Sequence, residues 1–164
     1  MNPKPPPSAE RPTEHPTEYI VSWDRIAADC RLLADRARAM GPFRGIVAVA
    51  RGGLVPAALV ARLLDVRLVD SLAVSSYDGR ARGPARVLKS PQTAALDRGE
   101  GWLVIDDIAD SGATCALART ILPRARFAAL YAKPEARAGL DLFAAEAAAA
   151  AWIVFPWETA APEE

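Results

Sequence analysis

The chain of 164 residues carries 20 Lys plus Arg against 20 Asp plus Glu, one His, two Cys and 51% hydrophobic residues. One domain spans roughly 100–200 residues, so this length fits a single folded body. Zero net charge excludes a general attraction to nucleic acid or to anionic membrane, and a lone histidine at His15, in a proline-rich tail, excludes a Ser-His-Asp triad, a Cys-His pair and a histidine metal site.

Six of the 14 prolines fall in the first 16 residues, where little apolar material is available to pack. Residues 1–18 are therefore expected to form a disordered, polyproline-like extension, residues 19–158 the folded domain and residues 159–164 a loose tail. From Trp23, apolar residues recur at 23, 26, 27, 30, 33, 34, 37 and 40, the spacing of one helical face, with Ser22 as its cap and Gly41-Pro42 as its stop. Next comes the β-branched run from Gly45 to Ala50, then Arg51-Gly52-Gly53, then a helix from Leu54 to Leu64 with Pro56 in its first turn. Leu68 to Ser76 reads as a strand and the Gly- and Arg-rich segment from Tyr77 to Arg86 as an exposed loop. After Gly101 the pattern repeats: strand Trp102 to Ile105, acidic loop Asp106 to Gly112, helix Ala113 to Leu122 stopped by Pro123, then strand Phe127 to Ala132 before Lys133-Pro134. Buried strands alternating with helices imply an α/β fold with a mainly parallel sheet flanked on both faces.

Cys30 and Cys115 form no CxxC pair and fit a reducing compartment. No apolar run reaches the roughly 18 residues needed to cross a bilayer, and no apolar leader segment precedes the domain. The expectation is a cytoplasmic protein with no integral membrane association.

The segment from Leu103 to Thr114 (LVIDDIADSGAT) carries the most chemistry. An apolar strand delivers two adjacent acids and then Asp-Ser-Gly-Ala-Thr at a helix start. In open α/β sheets such a loop, at the carboxyl end of a strand, is where ligands bind. Backbone N–H groups from Ser111 to Cys115, with the hydroxyls of Ser111 and Thr114, suit a phosphate at the positive end of the helix. Asp106 and Asp107, beside an anion site, suit sugar hydroxyls or a hard cation such as Mg2+. Arg51-Gly52-Gly53 offers close backbone approach and a planar cationic donor to phosphate oxygens.

These residues resemble the type I phosphoribosyltransferases, whose donor signature is a hydrophobic strand, two acids and a short loop ending in Thr. The segments YIVSWDRI, IVAVARGGLVPAALVARLLDVRLVDSLAVSSYD, VIDDIADSGAT, YAKPEAR and AAWIVFPWE are similar, in order and spacing, to the bacterial xanthine-guanine branch, over residues 19 to 158. The resemblance implies a central sheet with a small hood for the base. It also implies transfer of the 5-phosphoribosyl group from phosphoribosyl pyrophosphate to N9 of a 6-oxopurine, with Mg2+ as cofactor and a homodimer or homotetramer as the assembly. On this resemblance Arg51, Gly52 and Gly53 bind pyrophosphate, in a loop where the family often has a cis non-proline peptide. Asp106 and Asp107 contact ribose hydroxyls directly or through the metal, and Asp110, Ser111, Gly112, Ala113 and Thr114 hold the 5′-phosphate. Asp110 also exchanges a proton with purine N7, and Ser75, Ser76 and Tyr77 open a mobile loop, with Arg80, Arg82 and Arg86, that excludes water. Lys133 donates to the 6-oxo group, Trp152 stacks on the purine and the Ile153 carbonyl accepts near position 2. The resemblance thus nominates Asp110, Arg51 and Tyr77 as catalytic residues.

The chain departs from the family pattern in three places. Ala113 stands where the branch has Gly, which is acceptable only if that residue needs no positive φ. The alanine-rich stretch before Trp152 favours helix where relatives carry strand-like residues. Val154 replaces an acid. Two other readings stay open from sequence: a nucleotide-sensing regulator that keeps the fold, and a transferase for another base such as adenine or orotate. The intact acid pair speaks against the first, and Lys133 with Trp152 against the second.

Overall fold

A strand that is apolar at every position has no face to offer to water and must be covered on both sides. In the computed structural model Gly45–Ala50 meets that demand as β2, one of the two central strands of a six-stranded sheet. The model describes residues 17–78, 81–92 and 97–158, with the backbone alone for 76–78 and 81–84. Sheet order is β4 (Ala81–Lys89), β3 (Val69–Asp78), β2, β5 (Trp102–Ala109), β6 (Arg126–Ala132), β7 (Leu142–Glu146). All neighbours run parallel except β3 and β4.

Helices α1 (Trp23–Arg38) and α2 (Leu54–Leu64) pack on one face against Ile46, Ala48, Leu103, Ile105 and Leu130. On the other face α3 (Ala113–Ile121) covers Val47, Val49, Val104 and Phe127. The odd and even positions of β2 thus feed two separate cores, as the period-2 geometry of a strand requires. Beyond the main sheet, β1 (Glu18–Ile20) pairs in parallel with β8 (Trp152–Val154), Tyr19 lying opposite Ile153. This small sheet is braced by aromatic packing: Tyr19 on Tyr131, Tyr131 on Phe155, and Trp157 stacked on Phe155.

The Ser22 hydroxyl accepts from the Arg25 N–H at 3.2 Å and caps α1 as expected. The predicted stripe is buried at Ile26, Cys30, Leu33, Ala34 and Ala37, while Trp23 and Met40 at its ends are exposed. Asp29 joins the buried face, which apolar counting does not register.

Four local expectations are corrected. The segment from Tyr77 to Arg86 is not a loop throughout: β3 runs on to Asp78 and turns back as β4, which makes an antiparallel edge. The strand after Gly101 does not stop at Ile105; pairing with β6 continues through Asp106 to Ala109, so both acids stand on β5 rather than in a loop. The alanine-rich stretch begins as strand β7, because Ala144 is buried on the α1 face and β6 offers an open edge; burial there outweighs alanine's helix preference. Of the extension expected over residues 1–18, its last two residues are ordered instead: Glu18 pairs with Trp152 in β1 and the Thr17 carbonyl accepts from the Trp152 N–H at 3.0 Å. Residues 1–16 and the expected tail 159–164 lie outside the described residues, as does Arg80; for Arg82 only the backbone is described.

Leu33 is fully buried in α1, within the core that packs the helix onto the sheet. Leu33→Ala is expected to cost about 2–5 kcal/mol of unfolding free energy, read as a lower urea midpoint with little change in slope.

Candidate active site

From β2 the chain crosses through α2 to β3, and from β5 it crosses through α3 to β6 on the opposite side. The loops that leave β2 and β5 therefore diverge, and the crevice between them at the shared carboxyl ends is the topological switch point where α/β sheets bind ligands. Into it come the two segments singled out in the sequence. Arg51, Gly52 and Gly53 follow β2, with Ala50–Arg51 as a cis non-proline peptide. Asp110 to Gly112 follow β5.

The two loops touch. A Cβ on Gly52 would lie 1.8 Å from Asp107 Oδ2, so the carboxylate occupies the space that a side chain there would take. Gly53 is enclosed by backbone, a Cβ there lying 2.5 Å from the Ile105 carbonyl oxygen and 2.6 Å from that of Val49. Asp106 Oδ1 accepts from the Asp107 N–H at 2.9 Å, and Asp107 Oδ1 from the Ile108 N–H at 2.8 Å. Burial, and then the neighbouring Asp107 charge, hold the Asp106 carboxyl well above the ordinary carboxylate range. Burial also raises Asp107, against its hydrogen bonds to Asp106 and Ile108, and the Glu158 carboxylate adds to the rise. Such a pair calls for a cation or for hydroxyl donors.

Beside the acids lies a cavity of about 300 Å³, lined along one wall by Asp106, Asp110, Ser111, Gly112, Ala113 and Thr114. Ser111 and Gly112 precede α3, which begins at Ala113. The left-handed backbone position falls on Gly112 (φ 80°), not on Ala113, so the alanine departure is accommodated. The Ser111 hydroxyl accepts from the Ala113 N–H at 3.4 Å, a long contact that leaves the helix start open to an anion.

Lys133 follows β6 and is only 11% exposed in its side chain. Its Nζ lies 2.7 Å from Asp110 Oδ1, and its N–H donates to the Ala109 carbonyl at 2.9 Å. The structure thus brings together Arg51 to Gly53, Asp106, Asp107, Asp110 to Thr114 and Lys133. Trp152 and Ile153 sit apart from this cavity on β8, in the small sheet, with Trp152 53% exposed and Ile153 buried. Ser76 and Tyr77 are placed by backbone only, and their side chains lie outside the described residues. Since Ala50 pairs with Ala73, β3 carries them past the end of β2, beyond Ala50 by about 10 Å at Ser76.

A phosphoribosyl transferase domain model matches residues 17–164. The chain belongs to the phosphoribosyltransferase family. Its similarity to xanthine-guanine phosphoribosyltransferase of Cereibacter sphaeroides is 45% identity over 150 residues, 89% of this chain and 90% of that one. With the xanthine-guanine phosphoribosyltransferase of Nitratidesulfovibrio vulgaris it shares 46% over 142 residues, 86% of this chain and 85% of the relative. Among solved structures, a purine phosphoribosyltransferase from Pyrococcus horikoshii superposes with a TM-score of 0.73 at 25% identity, covering 90% of this chain and 97% of that one. The xanthine-guanine-hypoxanthine phosphoribosyltransferase of Helicobacter pylori does so at 0.71 and 26%, covering 86% and 94%. The fold is accordingly the type I phosphoribosyltransferase fold, an α/β sandwich around a mostly parallel sheet.

Three features of this phosphoribosyltransferase site escape a reading of motifs. Glu158 adds charge to Asp107 from the far end of the chain. Phe127 and Leu140 give the cavity an apolar back wall, and Ala85 of the edge strand β4 reaches its rim. None has a local signal, because each arrives through tertiary packing.

The raised acids set a pH dependence. An acid whose pKa rises on folding binds its proton more tightly in the folded chain, so stability falls as pH climbs from the ordinary carboxylate range through the raised value. Asp106→Asn is therefore expected to melt at a higher temperature than the unaltered chain at about pH 7 in metal-free buffer. The gain should shrink as pH falls toward about 4, where the unaltered carboxyl is protonated as well. Thermal melts of both proteins across that range check it.

Proposed function

We propose that this phosphoribosyltransferase transfers the 5-phosphoribosyl group from phosphoribosyl pyrophosphate to N9 of a 6-oxopurine, xanthine or guanine and also hypoxanthine, releasing pyrophosphate in purine salvage. The observation that carries the reading is the Lys133–Asp110 contact at 2.7 Å beside the phosphate loop. The 6-oxo group and N7 of such a purine lie side by side on one edge of the base. A lysine, which only donates, suits the 6-oxo oxygen, and an adjacent carboxylate suits an N7 that gains or loses a proton. Adenine would present a donor to a donor.

The 5′-phosphate is assigned to the Ser111–Thr114 N–H groups and hydroxyls at the start of α3, where the helix dipole favours an anion. Arg51, exposed at the rim, with the backbone of Gly52 and Gly53, is assigned to the pyrophosphate. Pinning both ends of the donor fixes the anomeric carbon between them and removes the entropy of orientation from the barrier. Trp152, exposed on β8, offers a face for the base, and the Ile153 carbonyl an acceptor for its position 2. Ser76 and Tyr77, carried past Arg51 by β3, are assigned to closing the site against water.

Asp106 and Asp107 fit Mg2+. They are hard oxygen donors, Asp107 lies in the cradle left open by Gly52, and their raised proton affinity marks a place where a cation is favoured. Among the described residues no cluster of three or more His, Cys, Asp or Glu is spaced for a metal, which suits an ion that takes its remaining oxygens from water and the donor substrate. When bound, Mg2+ supplies charge neutralisation for the leaving pyrophosphate. The same carboxylates accept hydrogen bonds from the ribose hydroxyls.

The free, buried Cys30 and Cys115 fit a reducing cytoplasm, and no helix among the described residues is long and apolar enough to cross a membrane. Exposed Leu68 and Leu88 offer apolar surface for a homodimer or homotetramer. The catalytic domain is taken as residues 19–158.

Pyrophosphate release from phosphoribosyl pyrophosphate and Mg2+, measured with each base in turn, tests the reading. Turnover is expected with xanthine and guanine and not with adenine; no turnover with any 6-oxopurine overturns it. In the same assay Asp110→Asn is expected to lower kcat by about 100-fold while the KM for the donor moves little.

A further inference from the structure

By surface exposure Asp29 is the most deeply buried charged residue among the described residues, 3% exposed on the core face of α1. Burying an ionised carboxylate is costly unless it is paired and hydrogen-bonded. Two donors meet that need on one oxygen: the Tyr131 hydroxyl donates to Asp29 Oδ2 at 2.6 Å, and Arg25 Nε at 2.8 Å. Arg25 lies one turn earlier on the same helix with its side chain half in solvent, so it balances the charge without being buried itself. The bond to Tyr131 reaches 102 residues along the chain.

What Tyr131 touches gives the bond its meaning. It lies on β6, paired with Ile108 and Ala145, two residues before Lys133. Its ring packs edge-on against Tyr19 of β1, with centroids 6.4 Å apart, and against Phe155 just beyond β8 at 5.9 Å. β1 and β8 form the small sheet that carries Trp152 and Ile153. One side chain on the strand that delivers Lys133 thus reaches α1 through its hydroxyl and the sheet that delivers Trp152 through its ring, so the hydroxyl fixes the ring against which that sheet packs. The phosphate loop and α3 pack on the opposite face of the main sheet and share none of these contacts.

We propose that Tyr131, through its hydrogen bond to Asp29, is a positioning residue for the purine base: it holds the β1–β8 sheet in register with Lys133. A bare aromatic contact tolerates sliding and tilting of one ring over another, whereas a short directional bond to a buried, charged acceptor fixes both distance and angle. The inference rests on the base-binding roles proposed above for Lys133 and Trp152, and it predicts an effect on the base side of the reaction alone.

Tyr131→Phe removes the hydroxyl and keeps the ring. The KM for guanine, at saturating donor and Mg2+, is expected to rise about five- to tenfold, the scale of one ordinary intramolecular hydrogen bond. The KM for phosphoribosyl pyrophosphate should stay within about twofold, because the Tyr131 hydroxyl bonds to Asp29 and to none of the residues assigned to the donor. Asp29→Ala should reproduce this pattern. Asp29→Asn, whose amide oxygen still accepts from the Tyr131 hydroxyl, should keep the guanine KM within about twofold of the unaltered chain. If Asp29→Ala does not fold, the contrast between Tyr131→Phe and Asp29→Asn carries the test. An unchanged guanine KM in Tyr131→Phe, an equal rise in both KM values, or a fall in kcat alone overturns the proposal. Failure of the unaltered chain to use any 6-oxopurine overturns the proposed function, and this inference with it; that result is seen before any variant is made.

Discussion

Two carboxylates side by side at the end of a buried strand are the constraint around which the site is arranged. Asp106 and Asp107 stand on β5, and pairing of that strand with β6 runs past both of them to Ala109. A carboxylate fixed on a strand has far less freedom to turn toward water than one on a loop, so the burial that raises both proton affinities is enforced by the sheet itself. The neighbouring charges that act on the pair are their own and that of Glu158, all of one sign. Gly52 follows from this. A side chain at that position would displace the Asp107 carboxylate from the place it occupies against the loop after β2.

Around that acidic floor the other groups are sorted by sign. Arg51 is exposed at the rim, the N-terminus of α3 presents N–H groups beside the cavity, and Lys133 is held against Asp110. The family's donor substrate, with phosphates at both ends and hydroxyls between, matches this order of positive, negative and positive along the crevice. Zero net charge for the whole chain therefore hides a strong local division, which only the three-dimensional arrangement reveals.

The elements that could be read from sequence are those whose signals are local. The β-branched run ended by Arg51-Gly52-Gly53 defines β2 and the start of α2, and the position of Gly112 defines the start of α3. Where the reading went astray, pairing or burial overrode composition. The Gly- and Arg-rich stretch after Tyr77 has no apolar alternation, yet its backbone pairs with β3 as an edge strand, where a proline such as Pro84 is tolerated. Aspartates are poor strand formers, and only the continued ladder with β6 keeps Asp106 and Asp107 on β5. The site itself was largely legible as a set of residues, because Asp-Asp and Asp-Ser-Gly-Ala-Thr are contiguous. Which of them lie together was not: Gly52 and Asp107 are 55 residues apart and Lys133 and Asp110 are 23 apart, so neither contact has a local signal.

Asp29 shows what a hydrophobic pattern leaves out. It falls three residues after Ile26 and four before Leu33, within the stripe that apolar counting finds, and its polarity removes it from the count although its position does not. Its partner Tyr131 reads as one more aromatic in a buried strand. The bond between them lies on the α1 face of the sheet, while the phosphate loop is built on the α3 face, so the two sides are stabilised by different cores. The two sides come together at the ends of β5 and β6, where Asp110 and Lys133 lie within 2.7 Å. The loop after β2 leads into α2, on the same face as α1, and reaches β5 through the close approach of Gly52 to Asp107, so packing on both faces of the sheet converges on one set of strand ends.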